Sequence, residues 1–182
     1  MKMKNNLIEL PIATRDGIFL AHYSEKGLAG LDFPKTIRRR RGDESQTIPV
    51  SVELNGDSSR RLLQKNISRW HRATTEALNK VLTGRDAKNL PPLDWTGKTE
   101  FQQAVWREML KITAGQTKSY GEIAEAIGKP KAVRAVGGAC GANPIPVLVP
   151  CHRVLAANKK IGGFSGGLDW KRKLLASEGV KF

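Results

Sequence analysis

Cys151 is preceded by Pro150 and followed at once by His152 and Arg153, which sets a thiol beside an imidazole and a guanidinium. A free cysteine is mostly protonated at neutral pH and only its thiolate attacks well, so a nearby base and nearby cations are what a nucleophilic thiol needs. Neighbours on an extended backbone point to opposite faces, so a proton passes from Cys151 to His152 only through a bridging water or a local bend. A third group should orient the imidazole, and Glu178, the one acid beyond Asp169, is the carboxylate left by elimination. Cys151, His152 and Glu178 together predict a cysteine nucleophile with a general base. A packed, unreactive thiol is the competing reading of the same residues.

The stretch that presents the thiol is Asn143-Pro144-Ile145-Pro146-Val147-Leu148-Val149-Pro150. Proline presets its own φ and restricts the residue before it, so three prolines predict a stiff, extended arm. Val147-Leu148-Val149 is apolar and β-prone and would anchor that arm in a core. Upstream, Ser119-Tyr120-Gly121-Glu122 is a capping box opening a short helix through Ile127, with Ile123, Ala126 and Ile127 inward. Gly128-Lys129 makes a turn, and Pro130 suits the first position of a second helix running to about Cys140. Two short helices joined by a glycine turn predict a helix-turn-helix. At 100° per residue, Ala132, Val133, Val136 and Cys140 face the core, while Lys131, Arg134, Ala135 and Gly138 face outward. Two cations separated by very small residues suit close approach to a DNA backbone or groove. On this plot Cys140 is a buried, inert thiol.

The remaining chain supplies the frame. Leu7–Ile12, Ile18–Tyr23 and Leu28–Phe33, separated by Arg15-Asp16-Gly17 and Glu25-Lys26-Gly27, predict a three-stranded antiparallel meander. Lys35–Gln46, with Arg38 to Arg41, reads as a loop and a solvated charge run, and Ile48–Leu54 as a further strand. Asp57 or Ser58 caps a helix to about Leu82, with Leu62, Leu63, Ile67, Trp70, Ala73, Ala77, Leu78 and Val81 inward and His71 structural or exposed. A polar, proline-containing connection then places a boundary near residues 84–97, dividing the chain into domains 1–90 and 91–182. Thr99 and Gln102 form another capping box, opening a helix that ends near Gly115, with Phe101, Val105, Met109 and Ile112 inward and Trp106 packing. After the arm, Arg153–Leu155 continues as strand, Asn158 to Gly163 turns, Phe164-Ser165-Gly166-Gly167 is a glycine-rich loop, and Leu168–Ser177 is a final helix closed by Gly179.

Composition narrows the function classes. The 182 residues carry a formal charge of +14, which points to a polyanionic partner, nucleic acid first. Residues 126–168 hold no Asp or Glu but contain Lys129, Lys131, Arg134, Arg153, Lys159 and Lys160, so positive potential and the candidate thiol coincide. Two cysteines exclude a disulfide framework, and three scattered histidines offer no zinc spacing, so no metal is expected. With no long apolar run and no signal-like segment after Met1, the chain reads as soluble and cytoplasmic, or nuclear in a eukaryote.

These residues carry a resemblance. Ser119-Tyr120-Gly121-Glu122-Ile123-Ala124, Ala132-Val133-Arg134-Ala135-Val136-Gly137, Asn143-Pro144, Pro150-Cys151-His152-Arg153-Val154 and Gly163-Phe164-Ser165-Gly166-Gly167-Leu168 stand in the order and spacing of the O6-alkylguanine-DNA alkyltransferases. The match covers about residues 98–179. It implies an α+β fold: a small ribonuclease-H-like antiparallel sheet with a helix, then a mainly α, winged-helix-like domain with the helix-turn-helix. It implies irreversible transfer of an alkyl group from O6 of a flipped-out guanine to Cys151, once per molecule, with O4-alkylthymine a further candidate substrate. His152 would act as base through a water, oriented by Glu178, and Tyr120 would donate a proton toward the guanine. Arg134 would enter the base stack in the minor groove, and Asn143 would be the hinge between recognition helix and active-site loop. Val154, Ser165, Phe164 and Pro146 would line the base pocket. The implied protein is a monomer on double-stranded DNA, needing no cofactor.

There are departures from the family pattern. The first-domain zinc ligands of some relatives are absent, Phe164 stands where tyrosine is common, and Arg38 to Arg41 have no counterpart. The alternative within reach is a non-enzymatic, alkyltransferase-like damage binder, and such proteins lack the acceptor cysteine that Cys151 supplies. A transcription factor leaves Cys151, His152 and Glu178 unexplained, and a cysteine hydrolase leaves the acid-free helix unexplained.

Overall fold

Three apolar strands alternating with turn residues give β1 (Ile8–Thr14), β2 (Gly17–Ser24) and β3 (Gly27–Asp32), an antiparallel sheet in the order β1-β2-β3. The computed structural model describes residues 7–34 and 58–181. The expectations for Met1–Lys4, for the Arg38–Arg41 loop, for a strand at Ile48–Leu54 and for Asp57 as a cap lie outside these residues. Ile12 pairs with Phe19 and Ile8 with Tyr23, so one face of the sheet gathers Ile12, Phe19, Ala21 and Tyr23. Gly27 holds φ +150°, and a Cβ there would meet the Pro92 carbonyl oxygen at 2.1 Å, so only glycine lets the later chain run this close to β3.

α1 (Ser58–Leu82) covers that face with Ile67, Trp70, Thr74, Ala77, Leu78 and Val81 at helical spacing. Its burial begins at Ile67, and Leu62, expected inward, is 60% exposed. His71 is half-buried, with Nδ1 3.2 Å from the Tyr23 hydroxyl, which donates to Thr74 Oγ1 at 2.9 Å. The connection after α1 lies along β3: Leu28 N donates to Pro92 O, and Asp94 N to Leu28 O, both at 2.8 Å.

Beyond it come α2 (Glu100–Met109), β4 (Lys118–Ser119), α3 (Tyr120–Ala126), α4 (Val133–Gly141), β5 (Val154–Leu155) and α5 (Leu168–Ser177). This is the α+β arrangement expected. Thr99 with Gln102 and Ser119 with Glu122 both form reciprocal capping boxes. α2 stops at Met109 rather than near Gly115, and Lys111 and Ile112 continue in tight turns. Trp106 is fully buried, and its Nε1 donates to Ala139 O at 2.8 Å, fastening α2 to α4. β4 and β5 form a short parallel pair that brings Ser119, the cap of α3, beside Leu155.

Three expectations for the helix-turn-helix change. Pro130 does not open α4: Ala132 N donates to Lys129 O, so Pro130 and Lys131 sit in a turn and the helix starts at Val133. That start leaves Val133 41% exposed, while Val136, Ala139 and Cys140 form the buried face. In α3 the inward residues are Ile123 and Ala124, and Ala126 is exposed.

Candidate functional site

The proline stretch does not extend. Prolines at 144, 146 and 150 withhold three N–H donors, so the buried segment cannot join a strand ladder and satisfies its remaining groups internally. Ile145 N donates to Asn143 Oδ1 at 3.0 Å, Val149 N to Ile145 O at 2.9 Å, and Asn143 Nδ2 to Val149 O at 2.8 Å. Val147, fully buried, takes φ +73° at the tip, a conformation that costs a β-branched residue ~1–3 kcal/mol. Leu31 N donates to Pro144 O at 2.9 Å and so ties the turn to β3.

The turn delivers residues Cys151–Arg153 as one turn of 3-10 helix, not the strand expected; only Val154–Leu155 pairs with a neighbour. Three successive side chains therefore diverge. His152 is wholly buried with Nε2 3.1 Å from Glu178 Oε1. Arg153 Nη2 reaches the same oxygen at 2.8 Å, and Nη1 lies 3.1 Å from Asp86 Oδ1. Arg153 is thus an internal cation and adds nothing to the outward positive surface. Gly115 N donates to Glu178 Oε2 at 3.3 Å. Burial pushes the Glu178 carboxyl up, but His152 and Arg153 outweigh it and hold the group below its ordinary range. Burial lowers the His152 pKa despite Glu178. With an ionised carboxylate at Nε2, that nitrogen carries the proton and Nδ1 keeps its lone pair; Nδ1 is buried with no protein partner.

Cys151 points elsewhere, into a cavity of about 270 Å³ lined by Tyr120, Gly137, Cys140, Gly141, Gly163, Phe164 and Ser165 besides itself. The neighbours in sequence do not lower its pKa as expected. Burial pushes the thiol up to about 11, opposed by the hydrogen bond from Asn143 Nδ2, 3.2 Å from Sγ, and by the charge of Lys171. Cys140 is buried, 3.6 Å from the Met109 sulfur, and pushed up to about 12, yet it shares the cavity wall. Burial and the two thiols raise the Tyr120 pKa, while a hydrogen bond with the Gly163 backbone opposes the shift.

Ser165 and Phe164 sit at this cavity, whereas Val154 and Pro146 do not line it. Val154 is fully buried in β5, and Pro146 lines a neighbouring cavity of about 420 Å³ with Phe33, Asn143 and Ser165. Lys131, Arg134, Ala135 and Gly138 are all exposed. Residues three and four apart are neighbours on a helix, so Arg134 stands one turn from Gly137, at the cavity wall.

Two residues escaped sequence reasoning. Phe33 meets Phe164 edge-to-face with centroids 5.6 Å apart, and a Cβ on Gly166 would meet the Phe33 ring at 2.4 Å. Nothing in the local pattern of β3 signals this contact. Lys171 is fully buried, with Nζ donating to Val154 O at 2.7 Å and to Gly163 O at 3.2 Å. Its helical spacing to Leu174, Leu175 and Glu178 was the available sign that it faces inward.

Residues 100–180 match the family model described as 6-O-methylguanine DNA methyltransferase, DNA binding domain. A methylated-DNA–protein-cysteine methyltransferase of Mycobacterium bovis is 50% identical over 103 residues, 57% of this chain, and the match spans only 62% of that relative's length. The "Probable methylated-DNA–protein-cysteine methyltransferase" of Acanthamoeba polyphaga mimivirus is 42% identical over 136 residues, 75% of this chain and 85% of the relative. The crystal structure of Mycobacterium tuberculosis OGT in complex with DNA superposes with a TM-score of 0.66 at 34% identity, covering 94% of this chain and 92% of that one. The buried thiol, its histidine and the helix beside them fall within the matched stretch, and the mimivirus match reaches well beyond it; the chain belongs to the methylated-DNA–protein-cysteine methyltransferase family.

Proposed function

We propose that this protein repairs DNA by moving the alkyl group of O6-alkylguanine onto Cys151, once per molecule. The observation that carries this reading is the cavity holding the Cys151 thiol beneath Tyr120, Phe164 and Ser165, one helical turn from exposed Arg134. An alkyl group on a stacked base cannot reach a thiol buried to this depth, so the nucleotide must leave the duplex, at a cost of a few kcal/mol. Arg134 takes the space of the flipped nucleotide. Ala135 and Gly138 let the helix approach the minor groove, with Lys131 on phosphate and Tyr120 at the cavity rim.

In the chemical step the Cys151 sulfur bonds to the alkyl carbon while the carbon–O6 bond breaks and its electron pair returns to the purine. The thiol proton passes through a water to Nδ1 of His152, the nitrogen left with a free lone pair by the Nε2–Glu178 contact. Tyr120, whose raised pKa keeps its proton at neutral pH, donates toward the purine as negative charge develops there, and the proton held by His152 restores it through solvent. The thioether has no route back to a thiol, so one molecule serves one lesion. Asn143, bonded to both the turn and the sulfur, joins the recognition helix to the acceptor. The sheet with α1, residues 1–90, forms one domain and residues 91–182 the other, acting as a monomer. Among the described residues no helix is long and apolar enough to cross a membrane.

The test is to incubate the protein with duplex DNA carrying O6-methylguanine and weigh it. One added methyl group, mapped to Cys151, with product capped at one equivalent, is the expected result. An unchanged mass, or repeated turnover, overturns the reading.

A further inference from the structure

The buried charges around the thiol are not equally accounted for. Glu178 meets His152 and Arg153, and Arg153 meets Glu178 and Asp86. Among the described residues, Lys171 alone is a fully buried cation whose partners are two backbone carbonyls and no carboxylate. An ammonium held this way is expensive to bury, because carbonyl dipoles return only part of its hydration. A methionine of similar length would fill the same space at lower cost in an apolar setting.

Its two acceptors belong to opposite sides of the site. Val154 follows the turn bearing Cys151, and its carbonyl receives the shorter bond at 2.7 Å. Gly163 lies at the cavity wall, beside Phe164 and Ser165, and its backbone also bonds Tyr120. The ammonium therefore fixes the glycine-rich loop against the strand that leaves the nucleophile. Its charge also acts on Cys151, Cys140 and His152. Burial lowers the pKa of Lys171 itself to about 8, so it is charged at neutral pH and loses its charge as the pH rises beyond that. Besides these groups, Tyr120, Arg153, Glu178 and Asp86 are the titratable groups around the site among the described residues.

We propose that Lys171 is a positioning residue for alkyl transfer: its ammonium clamps the Gly163–Ser165 wall to the strand after Cys151 and, at neutral pH, supplies a positive charge that favours the Cys151 thiolate. The inference rests on the alkyl-transfer reading above. It explains why the family fold here tolerates an unpaired buried cation. It also gives the thiol, which burial pushes up, a compensating partner besides Asn143.

The experiment compares wild type, Lys171→Met and Lys171→Arg. Transfer is measured from duplex O6-methylguanine and from a free O6-alkylguanine base across pH 6 to 10, alongside duplex affinity. Lys171→Met is expected to bind duplex as wild type does, to transfer about 10-fold more slowly at neutral pH, and to need about one pH unit more to reach half its maximal rate. Lys171→Arg, keeping the charge, is expected to recover the pH profile at least in part. A methionine variant with wild-type rate and profile overturns the proposal, as does a slowed variant whose pH profile has not moved. Should Lys171→Met fail to fold, Lys171→Gln is read in its place; failure of both to fold makes Lys171 a stability residue and also overturns it. Absence of transfer by the wild type sinks the alkyl-transfer reading instead.

Discussion

Around the three-stranded sheet the interior is almost wholly apolar, with Thr74 the one buried polar residue among those described. Past residue 100 the interior holds Glu108, Asn143, His152, Arg153 and Lys171. The two regions solve different problems. The sheet and α1 bury Ile12, Phe19, Ala21, Leu28, Leu78 and Val81, and need no specific partner for any of them. The second region takes three basic side chains, His152, Arg153 and Lys171, out of water and must find each a named acceptor. Glu178 receives His152 and Arg153, Asp86 receives Arg153, and two carbonyls receive Lys171.

Glu178→Gln tests that contrast most severely. Neutralising the carboxylate leaves Arg153 short of a partner and weakens the hold on the His152 tautomer, so methyl transfer should fall roughly 100-fold. Unfolding by urea at pH 7 should lose ~3 kcal/mol, as for a broken buried pair. The sign with pH follows from the depressed carboxyl of Glu178. Its contribution is complete above the ordinary carboxylate pKa and is lost as pH falls through the lower folded value. Wild type should therefore lose stability on acidification more steeply than Glu178→Gln; parallel curves would show that the carboxylate is not held as described.

Arg134→Ala should have a narrower effect. The side chain is exposed and bonded to no described residue, so urea stability should not move. Transfer from duplex DNA should drop roughly 10-fold to 100-fold, a share of the few kcal/mol needed for flipping. Transfer from the free base should be unaffected. Equal losses on both substrates would remove Arg134 from the flipping step.

The smallest change is expected on the apolar side. Thr74→Val deprives the Tyr23 hydroxyl of its 2.9 Å acceptor and should cost ~1–2 kcal/mol in urea unfolding. Methyl transfer per folded molecule should equal wild type. A loss of transfer at full folding would mean that this packing reaches the site through the contacts that join the two regions, among them the Leu31–Pro144 bond, the Arg153–Asp86 pair and the Phe33–Phe164 contact.

Much of this arrangement was legible as local pattern. Alternating apolar residues between Asp16-Gly17 and Lys26-Gly27 marked the meander, and the two capping boxes marked where α2 and α3 begin, because both signals lie within a few residues. Cys151, His152 and Glu178 were nominated by chemistry and elimination, and the fold brings His152 and Glu178 within 3.1 Å. Where pattern misled, a longer-range demand had intervened. Three prolines read as an extended arm, yet a buried segment short of donors closes on the Asn143 side chain instead. Val133 read as core from its place on the wheel, but the turn at Lys129 delays the start of α4 and leaves it outside.

Residue order alone thus decided the three strands of the meander, the two capping boxes, the outward place of Arg134 on α4 and the candidate nucleophile, all of which depend on neighbours in the chain. Burial decided the rest. It raises the Cys151 thiol that adjacent His152 and Arg153 were expected to lower, and it turns Arg153 from a surface cation into the partner of Glu178 and Asp86. It also draws Lys171 and Phe33 into the site from α5 and the end of β3. A charge changes meaning when water is removed, and only the folded chain determines which charges lose it.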